Sequence, residues 1–261
     1  MGILDRFSLK GKVALVTGGA GLYGRQIVRG VAEAGAETYV ASRDRDALEA
    51  VAAGLRAEGL DVTALQYDQG DEASILALRD AILERSGRVD VLVNNAVSRP
   101  MKQGFQSDAS TFADSMRVNA TGLFLITRAF GDVMAEQGSG SIINIGSIQG
   151  IIAPDPTIYR DTSMSGWSPD YFFHKSGMIN FTRFIGSYYG PKGVRCNCLS
   201  PGGFRVDSHP EPFVRQYSER TFLGRLANDT DLMGAVVFLA GDASVYITGA
   251  NLPVDGGYTA K

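Results

Sequence analysis

Short apolar runs alternate along the chain with longer stretches whose apolar residues recur at helical spacing. The runs Lys12–Thr17, Thr38–Ala41, Val62–Gln66, Val89–Val93, Ser141–Ile145, Val194–Leu199 and Asn251–Val254 read as seven strands. The intervening patterns predict helices over Arg25–Ala34 (closed by Gly35), Arg45–Ala57, Glu72–Glu84, Thr111–Met134, Tyr171–Tyr189 and Leu232–Leu239. The strands are apolar on both faces, as a parallel sheet covered by helices requires. The alternation predicts an α/β fold, a doubly wound parallel seven-stranded sheet flanked by helices. Two segments, Gln149–Pro169 and Gly202–Arg225, break the rhythm. Each follows a strand, which places both over the ligand-binding edge of the sheet.

Composition fits one large domain. Of 261 residues, 44% are hydrophobic and 20% charged, and no Pro/Ser-rich linker divides residues 1–261. A net charge of −3 leaves no basic footprint for nucleic acid. No apolar run approaches the ~20 residues of a membrane span, and Met1–Lys12 lacks the apolar core of a signal peptide. The two cysteines, Cys196 and Cys198, stand two apart in a strand, are not expected to pair with one another, and are read as small buried fillers. A cytoplasmic location is expected. No His/Cys/Asp cluster has metal-ligand spacing.

Tyr171 and Lys175 stand four apart on a predicted helix, hence on one face. An ammonium beside a phenol favours the phenolate, and a phenol so tuned can exchange a proton with an alcohol or ketone. At the other end of the chain, the first strand runs into Thr17-Gly18-Gly19-Ala20-Gly21-Leu22-Tyr23-Gly24 and then a helix. Glycines there let backbone approach a pyrophosphate, and the helix start offers free N–H groups.

Thr17-Gly18…Gly24, Asp68, Asn94-Asn95-Ala96, Asn119, Ser147, Tyr171…Lys175, Ser200-Pro201-Gly202 and Val254-Asp255-Gly256-Gly257, in that order, resemble the short-chain dehydrogenase/reductase family over essentially the whole chain. The resemblance implies a Rossmann fold, a nicotinamide cofactor and a homotetramer (or homodimer). It implies that Tyr171 is the general acid/base and that Lys175 lowers its pKa and holds the ribose. Ser147 bonds the reacting oxygen, and Asn119 anchors a water chain from Lys175 to solvent. Asp68 contacts adenine, while Asn94 and Ala96 line the cofactor wall. The implied cofactor contacts are Gly18, Gly21, Leu22, Tyr23, Gly24, Ser42, Arg43, Asp68, Gln69, Asn95, Ala96, Tyr171, Lys175, Pro201, Gly202 and Val206.

Departures from the family pattern fall at Leu22 and Val97, where glycine is usual, and at Val206, where threonine is common. Ser147 and Tyr171 lie 24 positions apart instead of about a dozen. Tyr159 stands at the customary distance but has no lysine four residues on, so 149–169 reads as an insertion, an ordered pocket wall anchored by Tyr159, Met164 and Trp167. At the end of the second strand, Ser42-Arg43 favours the 2′-phosphate of NADP(H), while Asp44 keeps NAD(H) open. Arg99, Arg160 and Arg205 can fork onto an anion, and His209 is a further substrate candidate. His174 reads as a packing or interface residue. Sugar-linked members of the family share the Thr-Gly-Gly-Ala-Gly-Leu start and the Pro-Gly-Gly loop followed by Pro-Glu-Pro-Phe. The expected activity is hydride exchange with a secondary alcohol or carbonyl of a sugar, sugar acid or polyol, with an anionic sugar derivative as a narrower expectation. The alternatives are a nicotinamide-dependent epimerase or lyase, and a nucleotide-sensing protein without turnover.

Overall fold

In the strand β1 (Val13–Thr17) all five residues are buried, so both faces of the chain at this point must be covered. In the computed structural model, which describes residues 2–164 and 168–261, helices supply that cover. β1 is joined by β2 (Glu37–Ser42), β3 (Val62–Gln66), β4 (Val91–Asn94), β5 (Gly140–Ile145), β6 (Val194–Pro201) and β7 (Asn251–Val254) in one seven-stranded sheet of order β3-β2-β1-β4-β5-β6-β7. All six pairings are parallel. The order reverses between β1 and β4, so a crevice opens beyond the carboxyl ends of these strands.

Alternation along the strands divides the core in two. Ala14, Val16 and Val40 face a layer that holds Ile27 and Val31 of α1 (Leu22–Glu33), Leu48 and Leu55 of α2 (Arg45–Ala57), and Val236 and Leu239. Val13, Leu15 and Tyr39 face the opposite layer, with Ile75 and Ile82 of α3 (Glu72–Ser86), Phe130 and Met134, and Ile185 and Tyr189. At the outer edge of the sheet β7 is less deeply covered than the central strands and leaves Leu252 exposed. Cys196 and Cys198 are buried and free.

The helix expected over Thr111–Met134 is interrupted. α4 (Ala109–Met116) and α5 (Leu123–Gln137) are joined by a π-helical turn, Arg117–Gly122. The buried side chain of Asn119 in that turn is drawn out to the loop after β4, which gives the extra residue a reason to exist. α6 (Pro169–Tyr189) carries Tyr171 and Lys175. Within the segment Gly202–Arg225, where the pattern predicts no helix, α7 (Glu211–Glu219) follows β6, and α8 (Met233–Ala240) completes the fold.

The described parts of the two segments that break the rhythm pack against one another. Ile148, Ile158, Phe213, Tyr217, Leu226 and Tyr258 form a separate apolar cluster, joined by Tyr159 and Met164. Arg220 bridges Asp155 at 3.0 Å and donates to Thr157 Oγ1 at 2.7 Å, while Gln216 Nε2 donates to the Arg160 carbonyl at 2.8 Å. Trp167, expected as a third anchor, lies outside the described residues.

Candidate active site

At the carboxyl edge of the sheet a cleft of about 580 Å³ runs from the turn after β1 to the start of α6 and under α7. Its first wall is the glycine turn. Gly18 sits at φ +65°, a conformation that L side chains rarely adopt. A Cβ on Gly24 would stand 2.2 Å from the Gly18 carbonyl oxygen, so the turn closes only without side chains at these points. Gly21 caps α1 with no side-chain partner for the first-turn N–H groups, which are left facing the cleft with the positive end of the helix dipole. Leu22, where the second glycine is usual in the family, is 58% exposed and lines the rim without filling the turn. The cradle therefore fits a pyrophosphate.

Side chains from three strand ends finish the wall. Thr17 Oγ1 accepts from the backbone N–H groups of Asn95 and Ala96, and Asn95 Nδ2 donates to the carbonyls of Thr17 and Gly18 at 3.0 and 2.9 Å. These bonds lock the loop after β4 to the glycine turn. Asn94, expected in the wall, is instead buried below it: its amide donates to Asn144 Oδ1 at 2.9 Å and Thr127 Oγ1 at 3.1 Å. The Tyr23 hydroxyl donates to the Gly202 carbonyl at 2.8 Å and so ties α1 to the loop after β6.

The floor holds Ser147, Tyr171 and Lys175 together. Lys175 is 3% exposed and its ammonium donates to the carbonyl of Ile145, the last residue of β5. The ammonium lies 5.6 Å from the centre of the Tyr171 ring. The guanidinium of Arg99 stands 4.1 Å from the same centroid. Burial pushes the Tyr171 phenol up, but the attraction of Lys175, then of Arg99, and hydrogen bonding from Ser147 outweigh it, so the phenol lies below its ordinary value. Burial likewise holds Lys175 below the usual lysine value, against the pull of Tyr171. His174, buried and edge-on to Tyr171 at 5.2 Å, is pushed down to about 3 by burial and by the Lys175 and Arg99 charges. Such a site can pass a proton between the phenol and an alcohol or carbonyl oxygen held between Tyr171 and Ser147.

A family model described as enoyl-(acyl carrier protein) reductase, of the short-chain alcohol-dehydrogenase type, matches residues 21–259. The chain belongs to the short-chain dehydrogenase/reductase family. It is an oxidoreductase of that family. It is 32% identical over 259 residues to galactitol 2-dehydrogenase (L-tagatose-forming) of Cereibacter sphaeroides, covering 97% of each chain. A gluconate 5-dehydrogenase from Burkholderia cenocepacia J2315, solved in complex with NADP and tartrate, superposes with a TM-score of 0.88 at 31% identity over 100% of both chains. An NAD+-bound xylitol dehydrogenase superposes with a TM-score of 0.85 at 26% identity, over 95% of this chain and 99% of that one.

In this short-chain dehydrogenase the cleft gathers Gly18, Gly21, Leu22, Tyr23, Gly24, Ser42, Asn95, Ala96, Pro201 and Gly202 with the Ser147/Tyr171/Lys175 floor, and Arg99, Tyr159 and His209 on the substrate side. Seven expected residues do not line it. Asn119 is 3% exposed, and its amide is spent on both backbone groups of Ser98 and on Ser115 Oγ. Gln69 is buried, accepting from the Tyr67 hydroxyl and donating to the Val118 carbonyl. The Asp68 carboxylate accepts from the Gly70 N–H at 2.8 Å. Arg43, Arg160 and Arg205 are exposed beyond the cleft, and Val206 turns away with its N–H towards His209 Nδ1. Asp44 accepts from the Ala47 N–H at 3.0 Å and is the N-cap of α2. The cleft also uses Phe213, Tyr217 and Tyr258, which pattern reading passed over. The signal was present: Phe213 and Tyr217 stand four apart behind Pro210 and Pro212, a helix-start pattern.

Proposed function

We propose that this enzyme exchanges a hydride between a nicotinamide dinucleotide and a secondary alcohol or carbonyl of a sugar, sugar acid or polyol. The carrying observation is Tyr171, its phenol held below the ordinary value beside the buried Lys175, at the floor of a cleft whose far wall is a glycine turn at a helix N-terminus. When bound, the nicotinamide supplies hydride transfer. The chain's own groups do the rest. Gly18, Gly21 and the start of α1 hold the pyrophosphate, and Lys175 holds the ribose hydroxyls. Ser147 orients the reacting oxygen, and Tyr171 gives it a proton or takes one from it. The galactitol, gluconate and xylitol dehydrogenases to which the chain is similar support a polyhydroxylated substrate.

NADP(H) is the preferred cofactor in this reading. Asp44, the carboxylate that could have served a ribose hydroxyl, is occupied in capping α2, which leaves Ser42 and Arg43 at the end of β2. The enzyme acts in the cytoplasm as a homo-oligomer, a tetramer by family resemblance. Phe173, Phe184 and Tyr188 stand exposed along α6 and give such an assembly an apolar face. Light scattering tests the assembly.

The reading is tested by screening sugars, sugar acids and polyols with both cofactors for net change in nicotinamide absorbance. Tyr171→Phe is expected to lose ~10²–10⁴-fold in turnover while binding the dinucleotide nearly as well as the parent. Product formed with no net absorbance change is the outcome for an epimerase or lyase and overturns the dehydrogenase reading.

A further inference from the structure

Arg99 follows Asn95-Ala96-Val97-Ser98 in the loop after β4, and its backbone is pinned. The Ser98 N–H donates to Asn119 Oδ1 at 2.8 Å, and Asn119 Nδ2 donates back to the Ser98 carbonyl at 2.7 Å. Asn119 is steadied in turn by Ser115 Oγ at 2.9 Å, and Ser115 donates to the fully buried Asp170, the residue before Tyr171. The loop that presents Arg99 and the helix that presents Tyr171 are thus parts of one hydrogen-bonded frame. The guanidinium ends 4.1 Å from the centre of the Tyr171 ring and lines the cleft.

Among the described residues this guanidinium has no carboxylate within 4.0 Å and its polar partner is the Tyr171 phenol, in contrast to Arg29, Arg88, Arg220 and Arg225, each of which is paired with a carboxylate. A stacked guanidinium keeps its donor edge free, and that edge matches a carboxylate in two parallel bonds. An arginine serving only as a solvated surface charge has no need of a pinned loop and a catalytic ring beneath it.

Building on the reading above, we propose that Arg99 is a specificity-determining residue that receives a carboxylate on the substrate, close along the carbon chain to the hydroxyl that reacts at Tyr171, so that hydroxy acids of the aldonate class are preferred over neutral polyols. A few carbons span the distance from the phenol to the guanidinium edge. The same contact has an electrostatic consequence. Arg99 is one of the two cations that favour the Tyr171 phenolate. A bound carboxylate cancels part of that field, so the acid limb of kcat, which reports the complex, lies at higher pH for an acid than for the neutral alcohol of the same configuration.

The test compares short aldonates with the matching alditols, by calorimetric titration of the cofactor-saturated protein and by kinetics, in the parent, Arg99→Gln and Arg99→Lys. Expected are aldonate binding weakened about 100-fold in Arg99→Gln and partly restored in Arg99→Lys, with alditol binding changed less than about tenfold; turnover of both substrate types falls as the phenol loses one of its two cations, so the aldonate-to-alditol ratio of kcat/KM is the kinetic reading. The difference in acid limb between the two substrate types is expected to vanish in Arg99→Gln. Equal losses on aldonates and alditols, or aldonate binding indifferent to Arg99, overturn the proposal. Polyol oxidation with Arg99-independent aldonate binding removes this inference and leaves the dehydrogenase reading standing. Arg99-dependent aldonate binding without any nicotinamide reduction does the reverse.

Discussion

The ammonium of Lys175 donates to the carbonyl oxygen of Ile145, the terminal residue of β5. That bond carries the position of the sheet edge into α6. Ser147 lies two residues beyond Ile145, and Tyr171 lies one turn before Lys175 on the same helix face. Hydroxyl, phenol and ammonium are therefore set by one strand end and one helix, both rigid, and the long segment between them in sequence hardly enters their geometry. A displacement of 24 positions between Ser147 and Tyr171 is absorbed by a wall that folds out over the cleft and packs on α7.

Lys175→Met tests the electrostatic half of this arrangement. Its charge pulls the phenol down against burial, so its removal raises the Tyr171 pKa. In the oxidation direction the phenolate is the base, and the acid limb of kcat/KM is expected to move to higher pH, with a loss of ~10²-fold or more at neutrality. The Ile145 carbonyl also loses its donor, at about 1–3 kcal/mol of stability. An unchanged acid limb in a folded variant counts against Lys175 as the group that tunes the phenol.

How far the sequence alone reached can be seen residue by residue. Arg45–Ala57, Val62–Gln66 and Asn251–Val254 were delimited at the observed ends, because a strong period and clear caps coincide there. The π-helical turn at Arg117–Gly122 was not legible. It arises from a bond between Asn119 and Ser98, a partner that periodicity does not show. For the same reason Asn94 and Gln69 were placed by motif at the cleft but point into the body of the fold, since spacing fixes a position along the chain and not its tertiary partner. α7 lies inside the segment Gly202–Arg225 that breaks the rhythm; its prolines stand at the helix start, where a missing N–H costs nothing.

His174 makes the fold acid-sensitive. Its pKa is pushed down from 6.5 to about 3 in the native state by burial and by the neighbouring Lys175 and Arg99 charges. An unfolded histidine takes up a proton near pH 6.5, whereas the folded one resists until about 3. Unfolded chains thus bind more protons across that window, and stability falls as pH drops through it, by at most about 1.4 kcal/mol per pH unit. Urea midpoints measured from pH 7 to 4 are expected to fall more steeply in the parent than in His174→Leu. Parallel curves would show that His174 is not the buried neutral group described.

Phe213 links the two segments that overhang the cleft. It is 5% exposed, stacks on Tyr159 at 5.6 Å and contacts His209 edge-on at 4.9 Å. Phe213→Ala is expected to destabilise by about 3–5 kcal/mol if the whole satellite cluster reports in the global transition, read as a lower urea midpoint. The wall loses its support, so KM for substrate rises while the pH limb set by Tyr171 stays in place. A variant with unchanged KM removes α7 from the substrate pocket.

The carboxyl end of β2 offers a clean separation of cofactor choice from helix capping. Asp44 accepts from the Ala47 N–H, and Arg43, next to it, is exposed with no ion pair among the described residues. Arg43→Asp replaces a forked cation that suits a 2′-phosphate with a carboxylate that suits a free ribose hydroxyl, and the ratio of kcat/KM for NADP to that for NAD is expected to fall by roughly 10–100-fold. Asp44→Ala, by contrast, removes only a cap. It is expected to cost about 0.5–2 kcal/mol of stability, seen as a lower melting temperature, with the cofactor ratio unmoved. The pair of variants decides the matter together: a ratio that follows Asp44 and ignores Arg43 places the ribose contact on the carboxylate and makes NAD the cofactor.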